Sequence, residues 1–170
     1  MKPKPSENPK EEKTSFKNYV PLIVLILGAF IGAYAFSLRF HEFSWKAFLM
    51  LFMGLFFLEL SLLKFFDITG FVQGFSLYDV PTQHFPLYGY IYPFIELGLG
   101  FLYLAAWIPI LTNILTMLIM GIGAFGVIGA LAKDKHISCA CMGTVIKVPL
   151  TTVSLIENLG MGLMAFFMLF

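Results

Sequence analysis

Five long apolar segments constrain this chain more than any other feature of its sequence. They are Tyr19–Leu38, Trp45–Phe66, Leu87–Trp107, Pro109–Ala132 and Leu150–Phe170. A hydrocarbon core of about 30 Å requires about 20 apolar residues in a helix, and lipid offers no hydrogen bonds to exposed backbone groups. The pattern therefore predicts an all-α, polytopic membrane helical bundle, with a four-helix core at residues 45–170 and one extra transmembrane helix at residues 19–38.

The composition supports a membrane location, because 59% of the residues are hydrophobic and only 12% are charged. Soluble proteins contain about 25% charged residues. Residues 1–18 differ from the rest, since they are rich in Lys, Pro, Glu and Ser and have too little apolar surface to fold. We expect a disordered, Lys-rich cytoplasmic tail followed by an uncleaved anchor, because the first apolar segment is longer than the apolar core of a signal peptide.

The basic residues predict the orientation. With the N-terminus inside the cell, nine of the eleven Lys and Arg residues are cytoplasmic, and only Arg39 and Lys46 lie outside. Short loops rich in Lys and Arg stay in the cytoplasm. The chain is thus predicted to cross the bacterial inner membrane several times, with an external C-terminus and a cytoplasmic connector at residues 133–149. The basic residues form no patch interleaved with aromatic residues, so nucleic acid is not an expected partner.

The connector at residues 67–86 is too apolar for a solvated loop and is interrupted by Gly and Pro. Its apolar positions 68, 71, 72 and 75 recur at helical spacing, which predicts an amphipathic helix on the bilayer surface or over the bundle. A turn is expected at Asp79–Pro81. Lys64 and Asp67, at the end of the second segment, are expected to reach the membrane surface and to pair there.

Glycines mark the expected helix contacts. Gly28 and Gly32 have the Gly-x-x-x-Gly spacing in the first segment, and the fourth segment carries Gly121, Gly123, Gly126 and Gly129. Residues without a side chain allow close backbone approach in membranes, so these positions are predicted to serve helix packing.

The two cysteines, Cys139 and Cys141, are one residue apart in the polar connector at residues 133–149. Two thiols at this spacing can form a disulfide, exchange one with a partner, or hold a soft metal. His136 and Met142 would complete a ligand set suited to Cu(I) or another thiophilic ion, whereas a structural zinc site would need a second Cys pair. A third interpretation is a structural subunit of a membrane complex with incidental cysteines.

In the redox interpretation, one thiol attacks a partner disulfide and the other resolves the mixed disulfide. Lys135, Lys147 or the N-terminus of the following helix would favour the thiolate. A disulfide across a single intervening residue closes a small, strained ring, and this strain would favour oxidation of the partner.

Three carboxylates lie inside the apolar segments, at Glu59, Glu96 and Glu157. An ionisable group in the bilayer normally faces protein or water and finds a partner there. Glu96 and Glu157 are therefore candidate catalytic residues, which could relay a proton if the bundle brings them near the cysteines. The alternative, which weighs slightly more for Glu59, is that the carboxyl only joins helices through hydrogen bonds.

Several of these features occur together in one family of membrane proteins. The second segment ends in Leu-Leu-Lys-Phe-Phe-Asp at residues 62–67, and a Phe-rich connector follows. Pro-Phe-Ile-Glu-Leu-Gly-Leu-Gly occupies residues 93–100, and a Cys-x-Cys-x-Gly turn at residues 139–143 precedes the last segment. From about residue 45 onward, the chain resembles the MauE/DoxX family of redox-associated membrane proteins.

The resemblance implies a four-helix membrane bundle that takes part in thiol redox or in the maturation of disulfide-containing proteins. The implied partner is a thioredoxin-like protein or a disulfide-containing client, which in methylamine-utilising bacteria is a subunit of methylamine dehydrogenase. The extra first helix departs from the family pattern and puts the thiols on the cytoplasmic side, whereas an exported client would need them outside. No cofactor is expected apart from Cu(I) in the metal interpretation.

Overall fold

The computed structural model describes residues 20–38, 44–132 and 150–169, and within these ranges the chain is helical without strands. The helices are α1 (Val20–Ser37), α2 (Trp45–Phe66), α3 (Ile68–Phe75), α4 (Val80–His84), α5 (Pro86–Leu104), α6 (Pro109–Ala132) and α7 (Leu150–Leu169). Each of the five predicted membrane segments corresponds to one long helix. The all-α prediction is confirmed.

Hydropathy and length identify the membrane-crossing helices. Among the described residues, α2, α5 and α6 are long and apolar enough to cross a bilayer. The parts Leu22–Ser37 of α1 and Ser154–Leu169 of α7 are shorter apolar helices. The chain is therefore a polytopic helical membrane protein, as the apolar segments predicted.

Helices α2 and α5 pack against each other in antiparallel directions, and glycines allow their close approach. A Cβ atom added to Gly54 would lie 2.8 Å from the side chain of Leu104 and 3.1 Å from the carbonyl oxygen of Gly100. Towards the other end of the pair, the rings of Phe65 and Phe94 meet edge to face at 4.8 Å. Because the middle of α2 at Gly54 and its last turn at Phe65 are both matched along α5, the register between the two helices is fixed.

Helices α6 and α7 form a second antiparallel pair. A Cβ atom on Gly123 would lie 3.0 Å from the Asn158 side-chain oxygen, and one on Gly126 would lie 2.7 Å from the Tyr78 carbonyl oxygen. By contrast, a Cβ atom on Gly121 or Gly129 would have no heavy atom within 4 Å. The packing prediction is confirmed for Gly123 and Gly126 and is wrong for Gly121 and Gly129, because no neighbouring atom approaches the latter two positions closely.

Helix α1 lies at the edge of the bundle and packs chiefly on α2. Its buried face carries Ala29 and Ala33, both fully enclosed. Gly28 faces the Glu59 carboxyl, and a Cβ atom on Gly32 would lie 2.8 Å from the side chain of Leu55. The Gly-x-x-x-Gly spacing thus marks a helix contact, as predicted.

Helix α3 covers the end of α2 and α5 with its apolar face. Phe71, Val72 and Phe75 are buried, which confirms the predicted amphipathic helix and shows that it lies over the bundle. The chain then turns at residues 76–78, slightly earlier than expected. Asp79 caps α4, which begins at Val80. Pro81 fits the first turn of this helix because a Pro residue loses no hydrogen bond there.

Candidate functional site

One end of the bundle is covered by α3 and α4, and we call it the capped end. Helix α2 ends there at Phe66, and α5 begins there at Pro86. The last turns of α6 also lie there, since Gly129 and Ala130 line a small cavity together with Val80 and Gln83. Because α7 runs antiparallel to α6, α7 begins at the same end.

The central feature beneath the capped end is an ion pair between Lys64 of α2 and Glu96 of α5. The Lys64 ammonium lies 2.5 Å from Oε1 of Glu96 and also donates to its Oε2. Both residues are enclosed, with exposures of 1% for Lys64 and 0% for Glu96. A charge buried in this way is tolerated when its partner and further hydrogen bonds replace water. The pair therefore holds α2 and α5 together through mutual compensation.

Aromatic side chains enclose this ion pair. The Lys64 ammonium lies 5.5 Å from the ring centroid of Phe71 and 5.3 Å from that of Tyr92, which is within cation–π range. Phe75 stands 4.6 Å from Tyr92, measured between ring centroids. Helix α3 thus closes an aromatic cap over the two charges.

The prediction that Lys64 and Asp67 pair at the membrane surface is wrong for Lys64. The ammonium points into the bundle because α3 folds back over the last turn of α2 and removes that turn from the surface. Asp67 instead caps α3, since its carboxylate accepts a hydrogen bond of 2.9 Å from the backbone N–H of Gly70. A Lys in the last turn of an apolar helix, followed by a Glu in the next span, was the sequence signal for this pair.

A second polar site lies within the cap itself, at Asp79. Its carboxylate accepts hydrogen bonds from the backbone N–H of Thr82 at 2.9 Å and from the Thr82 hydroxyl at 2.6 Å. Burial raises the pKa of Asp79 above its ordinary value, although both Thr82 hydrogen bonds act in the opposite direction. Desolvation is the larger effect because Asp79 is only 1% exposed.

Glu157 lies on α7 and is 8% exposed. Ser154 and Asn158 are also buried, so a polar stripe of three residues runs along one face of α7. Asn158 contacts Gly123, so this stripe faces α6. Glu96 and Glu157 therefore belong to different helix pairs, with Glu96 in the pair of α2 and α5.

Sequence reasoning missed a polar cluster that joins α5 to α6. The buried Tyr103 hydroxyl donates to the Asn113 side-chain oxygen at 2.8 Å and lies 3.1 Å from the Thr116 hydroxyl. Asn113 and Thr116 are three residues apart in an apolar helix, which places both on one face and was the available signal.

The predicted cysteine site lies outside the described residues. Cys139 and Cys141 lie in residues 133–149, which the structure does not describe. His136 and Met142, the other two predicted copper ligands, lie there as well. Within the described ranges, no group of three or more His, Cys, Asp or Glu residues is arranged to hold a metal ion.

A small cavity of about 110 Å³ opens between α4 and α6 at the capped end. Tyr78, Val80 and Gln83 form one wall, and Gly126 and Gly129 form part of the other. The close contact of Gly126 with the Tyr78 backbone holds the two walls together. The cap is thus anchored on α6 as well as on α2 and α5.

Comparisons with known proteins identify the family. Neither the curated proteins nor the solved structures gave a match to this chain. The family model described as methylamine utilisation protein MauE matches residues 42–170, which include α2 to α7 and exclude α1. The match covers most of the sequence and agrees with the resemblance seen in its motifs. This chain is a member of the MauE family of membrane proteins.

Proposed function

We propose that this membrane accessory protein exchanges disulfides with a partner protein through Cys139 and Cys141. Membership of the MauE family supports the accessory role. The observation that carries the exchange proposal is the arrangement of α6 and α7 at the capped end. Helix α6 ends there at Ala132, and α7 begins there at Leu150. The segment that contains both cysteines therefore starts and finishes at the capped end.

The proposed reaction is balanced between the protein and its partner. One thiolate attacks a sulfur of the partner disulfide, which forms a mixed disulfide and releases a partner thiolate. The second cysteine, as a thiolate, then attacks the mixed disulfide. The products are a Cys139–Cys141 disulfide and a partner dithiol, so the pair loses two electrons and the partner gains them. The reverse sequence oxidises the partner.

The two candidate carboxylates receive different roles in this proposal. We assign Glu96 to positioning, because Lys64 already neutralises its charge and the pair fixes the helices beneath the cap. Glu157 is the candidate proton acceptor for a cysteine thiol. The buried stripe of Ser154, Glu157 and Asn158 provides polar groups along α7 within the half that begins at the capped end.

We also propose that the exchange occurs at the cytoplasmic face of a bacterial inner membrane. The distribution of basic residues supports this orientation, since the N-terminal tail and the 133–149 segment contain most of the Lys residues. A cytoplasmic site would suit a thioredoxin-like partner. A client exported from the cell would require the opposite orientation.

Trapping of the mixed disulfide tests the exchange reaction. With Cys139→Ser or Cys141→Ser, the remaining thiol can attack but cannot be released by its neighbour, so at least one of the two variants should accumulate a partner adduct on non-reducing gels. The double variant should form no adduct. In the single-Cys background, His136→Ala and Met142→Ala should leave the adduct unchanged, because neither residue is needed for exchange.

Soft-metal handling predicts the opposite pattern, and the proximity of His136, Cys139, Cys141 and Met142 in the sequence is the reason to test it. Each of the four substitutions would then weaken the retention of Cu(I), since each removes a ligand. Stoichiometric copper in the purified protein, lost in Met142→Ala and without an adduct in either single-Cys variant, would contradict disulfide exchange.

A further inference from the structure

Glu59 is a membrane-embedded carboxyl that takes no part in the proposed exchange. It lies on α2 seven residues before Phe66, which is about 10 Å along the helix axis from the capped end. Its Oε1 atom faces Gly28 of α1, where an added Cβ atom would lie 3.1 Å away. Its Oε2 atom is buried and has no hydrogen-bond partner within the part of the chain that the structure describes.

The described basic groups do not neutralise this carboxyl. Helix α1, which packs directly against Glu59, contains no charged residue between Val20 and Ser37. On α2 itself, the Lys64 ammonium is bound to Glu96 of α5, and Lys46 lies thirteen residues away, about 20 Å along the axis. Any part of the Glu59 side chain that protein leaves uncovered at this depth faces hydrocarbon and not water.

Chemistry then decides the form that the carboxyl takes. An isolated carboxylate inside a bilayer is expensive, whereas a neutral carboxylic acid keeps only the smaller cost of a polar group with unsatisfied hydrogen bonds. Glu96 can remain ionised because Lys64 supplies a counter-charge. Glu59 has no such cation among the described residues, so proton uptake is the available means of neutralisation.

We propose that Glu59 and Gly28 form a proton-binding site between α1 and α2, distinct from the cysteine pair and from the ion pair of Lys64 and Glu96. The ligand is a single proton, held as a carboxylic acid at neutral pH. Gly28 makes the site possible because its missing side chain leaves room for the carboxyl group. Helix α1, which precedes the residues matched by the family, is the element that encloses the site.

A hydrophobic carbodiimide tests this proposal, because it enters the bilayer and reacts with carboxylic acids. The acid transfers its proton to a carbodiimide nitrogen and its oxygen adds to the central carbon, and rearrangement gives a stable N-acylurea. The full-length protein in lipid vesicles is treated with dicyclohexylcarbodiimide between about pH 6 and pH 8, and mass spectrometry measures the modified fraction of each Glu residue.

The expected result is modification of Glu59 that changes by less than about twofold over this range, since an ordinary carboxyl would lose about tenfold of its protonated form for each pH unit. Glu96 in the same sample is the internal control, and it should be modified at least about tenfold less because its carboxylate is bound to Lys64. Glu59→Gln should abolish the modification while the protein retains its elution profile in detergent.

Two outcomes would overturn the proposal. One is a folded protein in which Glu59 remains unmodified at every pH. The other is modification of Glu59 that falls about tenfold for each pH unit, which is the behaviour of a water-exposed carboxylate. A water-soluble carbodiimide separates these cases further, because it should leave a proton site inside the bilayer unmodified and should reach an exposed carboxyl.

Discussion

Lys64 and Glu96 are 32 positions apart in the sequence, yet their side chains form a fully buried ion pair. The pair connects the last turn of α2 to the middle of α5, directly beneath the cap formed by α3. Its position explains why a Lys at the end of an apolar segment does not reach the membrane surface. Because Glu96 has this structural partner, its effect on the stability of the bundle must be measured separately from any effect on thiol chemistry.

Substitution of either partner of this pair should destabilise the protein strongly. Glu96→Gln or Lys64→Met leaves one buried charge without its counter-charge, and such changes cost about 3 to 5 kcal/mol. Unfolding of the detergent-solubilised protein, together with its accumulation in membranes, measures the effect. The Lys64→Met/Glu96→Met double variant should recover most of the loss, because it removes both charges together.

Lys46→Met is the matched control for this prediction, since Lys46 is exposed on the same helix and should change stability by less than about 1 kcal/mol. A double variant as unstable as either single variant would contradict mutual compensation. A double variant that accumulates normally but has lost disulfide exchange would show that Glu96 acts in the reaction.

Gly126→Ala should destabilise the anchoring of the cap on α6. The added Cβ atom would lie 2.7 Å from the Tyr78 carbonyl oxygen, which belongs to the backbone and cannot move independently of its neighbours. We expect a loss of about 1 to 3 kcal/mol in the free energy of unfolding. Gly129→Ala, one turn further along α6, should be nearly neutral because the added methyl group enters open space. Equal losses in the two variants would contradict a specific role of the contact with Tyr78.

The stability of the cap should depend on pH through Asp79. Its pKa is raised by burial, so the folded state binds a proton at pH values where the unfolded chain has already released it. The contribution of Asp79 to stability is therefore largest below its ordinary pKa of 3.8. It falls as the pH rises from 3.8 through the raised pKa of the folded protein, and it stays low at higher pH.

Asp79→Asn should remove this pH dependence, because Asn keeps an oxygen that can cap α4 but does not titrate. Unfolding curves of both proteins across this pH window provide the measurement. If the two proteins show the same dependence, another group must be responsible for it.

Reporter fusions should reveal a cytoplasmic segment after α6 and an external C-terminus. Although Lys64 is buried inside the bundle, the other basic residues support this orientation, since eight of the eleven lie on the predicted cytoplasmic side. A reporter inserted after Lys135 should be active in the cytoplasm, and one fused after Phe170 should be active outside. The reverse result at Lys135 would invert the topology and favour an exported client.

The sequence alone determined the membrane class and the helix boundaries with good accuracy. The predicted segments at residues 45–66 and 109–132 coincide with α2 and α6. The amphipathic character of α3 was also readable from the positions of Phe71, Val72 and Phe75. These features depend on hydrophobicity along a continuous stretch of chain, and each stretch must satisfy its own backbone hydrogen bonds in lipid.

Only the tertiary structure decided which polar groups meet. Lys64 was expected at the surface and is buried, because α3 folds back over α2 and brings α5 alongside it. Tyr103 pairs with Asn113 across a helix connection, and Glu59 faces a glycine on the extra helix. A side chain's partner depends on which helices are adjacent and in what register, and no local pattern carries that information. For this protein, the sequence determined what lies in the membrane, and the packing of the helices determined which buried charge is compensated.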